Sequence, residues 1–293
     1  MSYTCRILAI DGGGIRGVIP AYILQEIEAA LGKPIYQCFD IIAGTSTGGL
    51  IAMALTTPLS SNNDTPLSAG SVLNLYLTDE SQIFVPQAST DFCVAKYFGI
   101  SSWLQSIFGS TLTLSQAQQQ LQSLGNPIPR QVLATCYTLN GASEANIGPY
   151  LFNWVDAAAA PADDYFVWEA TLGTSSAPTY FPIANVGAGV KNGSNATNRW
   201  VTDGGVVANN PALYALSWAS VLNLFTNLSE VLVVSLGTGL YNAGIKIVNG
   251  GNLGSVQWGL GLDTNGNSTA PLIDVLTTAN VLAPPSVSIM VRH

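Results

Sequence analysis

The chain has 293 residues, enough for one large α/β domain or two small ones. Hydrophobic residues make up 48% of it and charged residues only 9%, against about a quarter charged in ordinary soluble domains. Nine basic against 17 acidic side chains give a formal net charge of −8. That balance excludes the basic footprint of a nucleic-acid binder and a polybasic membrane anchor, so any membrane contact has to be hydrophobic.

CRILAID (5–11) is a short apolar run ending at an aspartate and a glycine cluster, and it reads as a buried strand. GVIPAYILQEIEAALG follows, with Val18, Ile19, Tyr22, Ile23, Ile27 and Leu31 at helical spacing. Gly32 is its stop signal, and Pro20 belongs in its first turn. FDIIAGTS reads as a second buried strand and TGGLIAMALTT as a second helix. This β-α-β-α opening predicts a parallel sheet covered by helices. From about 58 to 128 the pattern loosens into a loop and two surface-type helices, read as a variable insertion or lid within a single domain. QVLATCYTL (131–139) resumes the strand signal, with YLFNW (150–154) as a partner. FVWEATLGTSSAPTYFP reads as a helix running to Pro178, RWVTDGG as a strand, NNPALYALSWASVLNLF as a helix and EVLVVSLGTG as a last strong strand.

The four cysteines, Cys5, Cys38, Cys93 and Cys136, form no C-x-x-C pair, and His293 is the single histidine. A zinc site of the common Cys/His kind is not expected. Cys5, Cys38 and Cys136 stand in apolar runs and read as small buried residues. MSYTCRILAID lacks the basic start and cleavage site of a secretory signal, and no stretch reaches the about 18 apolar residues of a spanning helix. A cytoplasmic protein is therefore expected, and triplets such as Asn192-Gly-Ser194, Asn195-Ala-Thr197 and Asn227-Leu-Ser229 are read as chance.

Three stretches carry chemistry. Gly44-x-Ser46-x-Gly48 after a strand and before a helix has the spacing of a nucleophile elbow, where glycines leave room for a tight turn. The same stretch also fits a serine capping a helix in a glycine-rich turn. DGGGIRG (11–17) contains Gly12-x-Gly14-x-x-Gly17, which is also the dinucleotide fingerprint. A nucleotide domain needs an acid at the end of the second strand, however, and Asp40 stands at its start. Gly12, Gly13 and Gly14 at a helix N-terminus instead suit an oxyanion hole, with Arg16 adding positive charge. RWVTDGG ends at Asp203, which lies at the edge of Ser46 if its strand joins the same sheet. A partly desolvated carboxylate there can take the serine proton. An Asp-Gly-Gly is also an ordinary turn, and His293, the remaining candidate base, is a terminal residue, a class usually poorly held.

DGGGIRG, GTSTG and DGG followed by NNP, in that order, resemble the patatin-like phospholipase family, as do TSSAPTYFP (174–182) and SLGTG. The resemblance runs from about residue 5 to 239. It implies a three-layer α/β/α fold with a mainly parallel central sheet. It further implies hydrolysis of acyl esters of phospholipids or related glycerolipids by a Ser–Asp dyad, without metal or other cofactor. Carried over, Ser46 is the nucleophile, Asp203 the base, Gly12, Gly13 and Gly14 the oxyanion amides, and Arg16 the basic residue of that loop. The partner it implies is a lipid at a membrane or micelle surface, reached by a peripherally associated protein; the family does not fix an oligomeric state. A C-terminal piece carried by other members is expected to be missing. Outside that class, a nucleotide-binding protein and a lipid-binding pseudoenzyme remain as alternatives.

Other features read more plainly. Tyr97, Phe98, Trp103 and Phe108 fit either a lipid-facing lid or a satellite core, and Asp79-Glu80 and Asp163-Asp164 read as solvated charge. Asn209-Asn210-Pro211 reads as a cap on the helix after Asp203.

Overall fold

Strict alternation along the first strand sets the architecture. In β1 (Cys5–Ile10), Cys5 and Ile7 face one side of the sheet and Leu8 and Ile10 the other, all four fully buried. In β2 (Ile41–Thr45), Ile41 and Ala43 share the first side and Ile42 the second. A strand apolar on both faces needs helices on both, and the chain supplies them. The computed structural model describes residues 3–86, 95, 97–125, 129–140, 147–187, 196–239, 246–247, 255–262, 264–265 and 270–282.

On one side α2 (Thr47–Ala54) and α8 (Val167–Ser175) lie on the sheet, and α1 (Val18–Leu31), α3 (Ala69–Thr78), α5 (Ile100–Phe108) and α6 (Leu114–Ser123) share with them a large core that includes Leu24, Ile51 and Trp103. On the other, Ala215 and Ala219 of α10 (Ala212–Val221) cover Ile7, Ile41 and Leu133. Short elements complete the chain: α4 (Glu80–Ile83), the hairpin β3 (Phe84–Pro86) and β4 (Tyr97–Gly99), α7 (Trp154–Ala159), α9 (Gly205–Ala208), α11 (Ser255–Leu260) and α12 (Pro271–Leu282). Among the described residues no helix is long and apolar enough to cross a membrane.

The main sheet runs β7 (Ala184–Val186), β8 (Arg199–Asp203), β5 (Gln131–Asn140), β2, β1, β9 (Val231–Leu236), with β6 (Gly148–Asn153) also on β5. β9, β1, β2 and β5 are parallel, whereas β6 and β8 run antiparallel to β5. Register then places the site. β2 pairs with Gln131–Thr135 of β5, β8 with Cys136–Asn140, and β6 with Leu133–Thr138. A strand has two edges. Because β6 overlaps both of the other stretches, it occupies one edge, and β2 and β8 lie end to end along the other. They point at each other, with Thr45 opposite Thr135 and Asp203 opposite Cys136.

Several expectations need correction. Trp103 and Phe108, 4% and 3% exposed, belong to the main core and not to a lipid-facing lid. Tyr97 stacks among Phe84, Tyr180 and Phe181, and Phe98 alone of the four is exposed. Of the two acid pairs Glu80 is exposed as expected, but the other three are held: Asp79 accepts from Trp103 Nε1 at 2.8 Å, Asp163 from the Tyr150 hydroxyl at 2.9 Å, and Asp164 from Ser115 N and Oγ at 2.9 and 2.6 Å. Helix α1 begins and ends as expected, with Gly32 left-handed at its C-cap. Its buried face, though, is Pro20, Ala21 and Leu24, leaving Ile19, Tyr22, Ile23 and Leu31 exposed. Cys5, Cys38 and Cys136 are buried thiols; Cys93, Asn192, Asn195 and His293 lie outside the described residues.

The orientation of α1 is open to a direct check. Leu24→Ala empties a fully buried position and is expected to destabilise the fold by about 2–5 kcal/mol in denaturant titration. Tyr22→Ala, at a side chain 54% exposed, is expected to stay within about 0.5 kcal/mol of wild type. Equal losses from the two would mean that the helix is rotated.

Candidate active site

Ser46 sits at the C-terminal end of β2 with φ 54° and ψ −122°, a conformation that side chains rarely adopt and that costs about 1–3 kcal/mol. The surroundings enforce it. A Cβ on Gly44 would overlap the Gly48 backbone, and one on Gly48 would overlap the Ile10 carbonyl, so the chain turns this sharply only with glycine at both places. The last turn of α8 clasps the elbow from outside. Ser46 N–H donates to Thr174 Oγ1 at 2.9 Å, and Ser175 Oγ donates to the Ser46 carbonyl at 3.3 Å. Thr45 Oγ1 meets Thr135 Oγ1 at 2.7 Å and the Ala208 carbonyl at 2.6 Å, tying the elbow to β5 and α9.

Asp203 arrives from the opposite direction at the end of β8. Its backbone N–H donates to the Ser176 carbonyl at 3.1 Å, so the last turn of α8 and the residue after it brace the two strand ends between them. Its side chain is 4% exposed, accepts from Gly205 N–H at 2.6 Å through Oδ1, and has the Ser46 side chain beside it. Burial dominates these bonds and pushes its pKa from the ordinary 3.8 up to about 6. A Cβ on Gly204 would overlap Thr135, which makes glycine the residue that lets the chain turn against β5 here. Expected from sequence to share the carboxyl edge of a parallel sheet, Asp203 is instead carried by an antiparallel strand aimed at that edge.

The glycine loop lies across the ends of β1 and β9. Gly12 N–H donates to the Asn209 carbonyl at 3.0 Å. This corrects one expectation: the Gly12 amide is already engaged and is not available to an oxyanion. Gly13 and Gly14 N–H donate to no other group among the described residues. Arg16 folds back on the loop, its N–H and Nε reaching the Gly13 carbonyl at 3.2 and 3.4 Å and Nη1 the Gly239 carbonyl at 3.4 Å. Thr238 Oγ1 donates to the Gly12 carbonyl at 2.7 Å. Asp11, 3% exposed, has its Oδ1 unpaired; burial raises its pKa to about 7 against a bond from the Asn210 side chain. Asn210 Oδ1 accepts from Ala212 N–H at 2.9 Å just ahead of α10, whose N-cap position is Pro211 and receives no side-chain cap bond, so the expected cap is not formed in that sense.

Asp40 rules against a ribose site. It accepts from the Arg6 backbone at 2.8 Å and pairs with the Arg6 guanidinium at 3.0 Å, at the far end of β2 from the glycine loop. Sequence reasoning missed the bracing roles of Thr174, Asn209 and Thr238. Each lies in a stretch already noted, but only the fold shows which backbone group it holds.

The fold is that of an α/β protein with a mostly parallel central sheet, and it brings a strained serine, a buried carboxyl and a glycine-rich loop together at the strand ends. Residues 8–216 match the Patatin-like phospholipase family, and the chain is a member of it, a family of lipid acyl hydrolases. Patatin-like protein 2 of Arabidopsis thaliana is 34% identical, over 94% of this chain and 69% of that protein. Patatin-like protein 2 of Oryza sativa subsp. indica is 29% identical over the same shares of each. Probable inactive patatin-3-Kuras 1 of Solanum tuberosum is 30% identical, over 80% of this chain and 62% of that one. Among solved structures, VipD from Legionella pneumophila aligns with 85% of this chain and 64% of its own, at 10% identity and a TM-score of 0.39.

Burial of the Asp203 carboxyl has a thermodynamic consequence. The folded state holds this proton more tightly than the unfolded state, so wild-type stability falls as pH rises from about 4 to about 6, by an amount on the order of 3 kcal/mol. Asp203→Asn carries no such penalty, while Asp11 and Glu169 titrate in both proteins and cancel. The Tm difference, variant minus wild type, is expected to widen from pH 4 to pH 7. A difference that does not change with pH would show that Asp203 is not a buried, ionising acid.

Proposed function

We propose that the protein hydrolyses fatty-acyl esters of phospholipids or related glycerolipids through a covalent acyl-enzyme on Ser46. The observation that carries this reading is the strained Ser46 set beside a buried carboxyl whose pKa is raised to about 6. A carboxylate of ordinary acidity is a poor base for an alcohol. Desolvation strengthens it while leaving it mostly ionised at neutral pH. Asp203 takes the hydroxyl proton as Ser46 Oγ forms its bond to the ester carbonyl carbon, and the carbonyl electron pair moves onto oxygen. The Gly13 and Gly14 amides receive that oxyanion. As the tetrahedral species collapses, the bond to the alcohol part of the lipid breaks, and Asp203 returns the proton to the departing oxygen. Water, deprotonated by Asp203 in turn, attacks acyl-Ser46; as the second tetrahedral species collapses the Oγ–acyl bond breaks, Asp203 returns the proton to Ser46 Oγ and the fatty acid leaves. With so few charged side chains, approach to a membrane or micelle is through apolar surface.

A fluorophosphonate probe is expected to label the wild type and not Ser46→Ala, and hydrolysis of a mixed phospholipid, galactolipid and triglyceride panel, followed by mass spectrometry, is expected to stop in the same variant. Asp203→Asn keeps shape and loses basicity; its kcat is expected to fall about 10²–10⁴-fold. Wild-type kcat/KM is expected to rise with pH through about 6 as the base ionises. Labelling of Ser46→Ala, or normal turnover by Asp203→Asn, would remove the respective residue from the mechanism.

A further inference from the structure

We infer that Thr238 is a positioning residue for the oxyanion loop, fixing the peptide plane from which the Gly13 N–H projects. The inference rests on the hydrolase reading above. A trans peptide holds its C=O and N–H pointing in opposite directions, and the chain has no cis peptide bond among the described residues. The Gly12 carbonyl and the Gly13 N–H belong to one such plane. Whatever grips the carbonyl therefore aims the amide.

The grip comes from the neighbouring strand. β9 pairs with β1 up to Leu236 opposite Ile10, and the Asp11 N–H to Leu236 carbonyl bond at 3.0 Å closes the ladder. Two residues beyond this pair, Thr238 stands level with Gly12, and its hydroxyl extends the contact as a side-chain donor at 2.7 Å. Asn209 Nδ2 adds a longer bond to the same oxygen at 3.5 Å. Thr238 is 4% exposed, so water does not compete for its hydroxyl. The fit is close: a Cβ on Gly13 would overlap Thr238 Oγ1, so the threonine rests directly on the loop. Arg16 performs the same service one plane further on, where the Gly13 carbonyl accepts its N–H and Nε and the Gly14 amide faces away. Of the two planes, only the one held by Thr238 is anchored by a buried side chain. Gly12 N–H, held by the Asn209 carbonyl, is anchored but spent.

Glycine has no intrinsic preference that would keep this plane in place. Without its donor, the plane rotates, and the amide no longer points where negative charge develops. The substrate's ground state scarcely uses that amide, so the loss falls on kcat and not on KM.

The test compares Thr238→Val, which replaces the hydroxyl by a methyl of similar shape, Thr238→Ala, which introduces no new atoms, and Thr238→Ser, which restores the donor. On a soluble short-chain ester, Val and Ala are expected to lower kcat about 10- to 100-fold, a misaimed donor falling somewhat short of a deleted one, with KM within about threefold and the acid limb of the pH profile unmoved. Affinity for a trifluoromethyl ketone, which forms a tetrahedral adduct on the serine, is expected to drop in parallel with kcat. Ser is expected to recover within about threefold of wild type. Unchanged kcat in both Val and Ala overturns the inference. So does a kcat loss that tracks a fall in Tm and is not rescued by Ser, because that is the signature of a merely structural role. Wild type without turnover would instead overturn the hydrolase reading itself, whereas an active wild type silenced by Ser46→Ala and insensitive at Thr238 overturns the positioning alone.

Discussion

Everything about the site follows from two strands competing for one edge of β5. β2 runs along its first half in the parallel sense, β8 along its second half in the antiparallel sense, and the two meet nose to nose at Thr135 and Cys136. Neither can continue, so both chains must leave the sheet at the same point. One leaves through the strained turn at Ser46, the other through the Gly204–Gly205 turn pressed against Thr135. Little water reaches the polar tips left at such a collision. They find partners in the protein instead: Thr45 with Thr135, Asp203 with the Gly205 N–H, and Thr174 to Ser176 with the backbone of both strand ends. Mutual satisfaction of buried polar groups is what makes such a junction tolerable in an apolar core.

The energetics of the junction run against stability. A serine in an unfavourable backbone region and a carboxyl kept from water each destabilise the fold, and Asp11 adds a second buried acid directly after the apolar part of β1. The opposing term is the large two-sided core, where Leu8, Ile10, Ile42 and Ile51 on one face and Ile7, Ile41 and Leu133 on the other are fully or almost fully buried. Few charged residues interrupt that burial. A protein with this composition can carry an unfavourable site because the rest of the sheet is so apolar.

Most elements could be read from the chain because their signals are local. Apolar runs ending in glycine clusters gave β1, β2 and β8; the left-handed Gly32 closed α1; and G-x-S-x-G placed Ser46 at a turn whose glycines the backbone contacts explain. What could not be read depends on partners distant in sequence. A strand carries no mark of whether its neighbour is parallel, so the approach of β8 to β5 was invisible. The aliphatic stripe of α1 misled because Pro20, Ala21 and Leu24 take the inner face. The Gly12 amide looked available until Asn209, from a loop nearly two hundred residues on, proved to occupy it. Asp79, Asp163 and Asp164 looked like solvent-facing charge because their donors, Trp103, Tyr150 and Ser115, lie elsewhere in the chain.

The head-to-head junction also bears on when the site comes into being. Its carboxyl belongs to a strand that follows β5 by some sixty residues, and the last clamp on the glycine loop waits for β9, whose partner β1 lies at the opposite end of the polypeptide. Such distant pairings close late, since loop-closure entropy opposes them until the rest of the sheet exists. A growing polypeptide on the ribosome would thus present the Ser46 turn before Asp203 stands beside it, and the junction would be complete only once the sheet has closed.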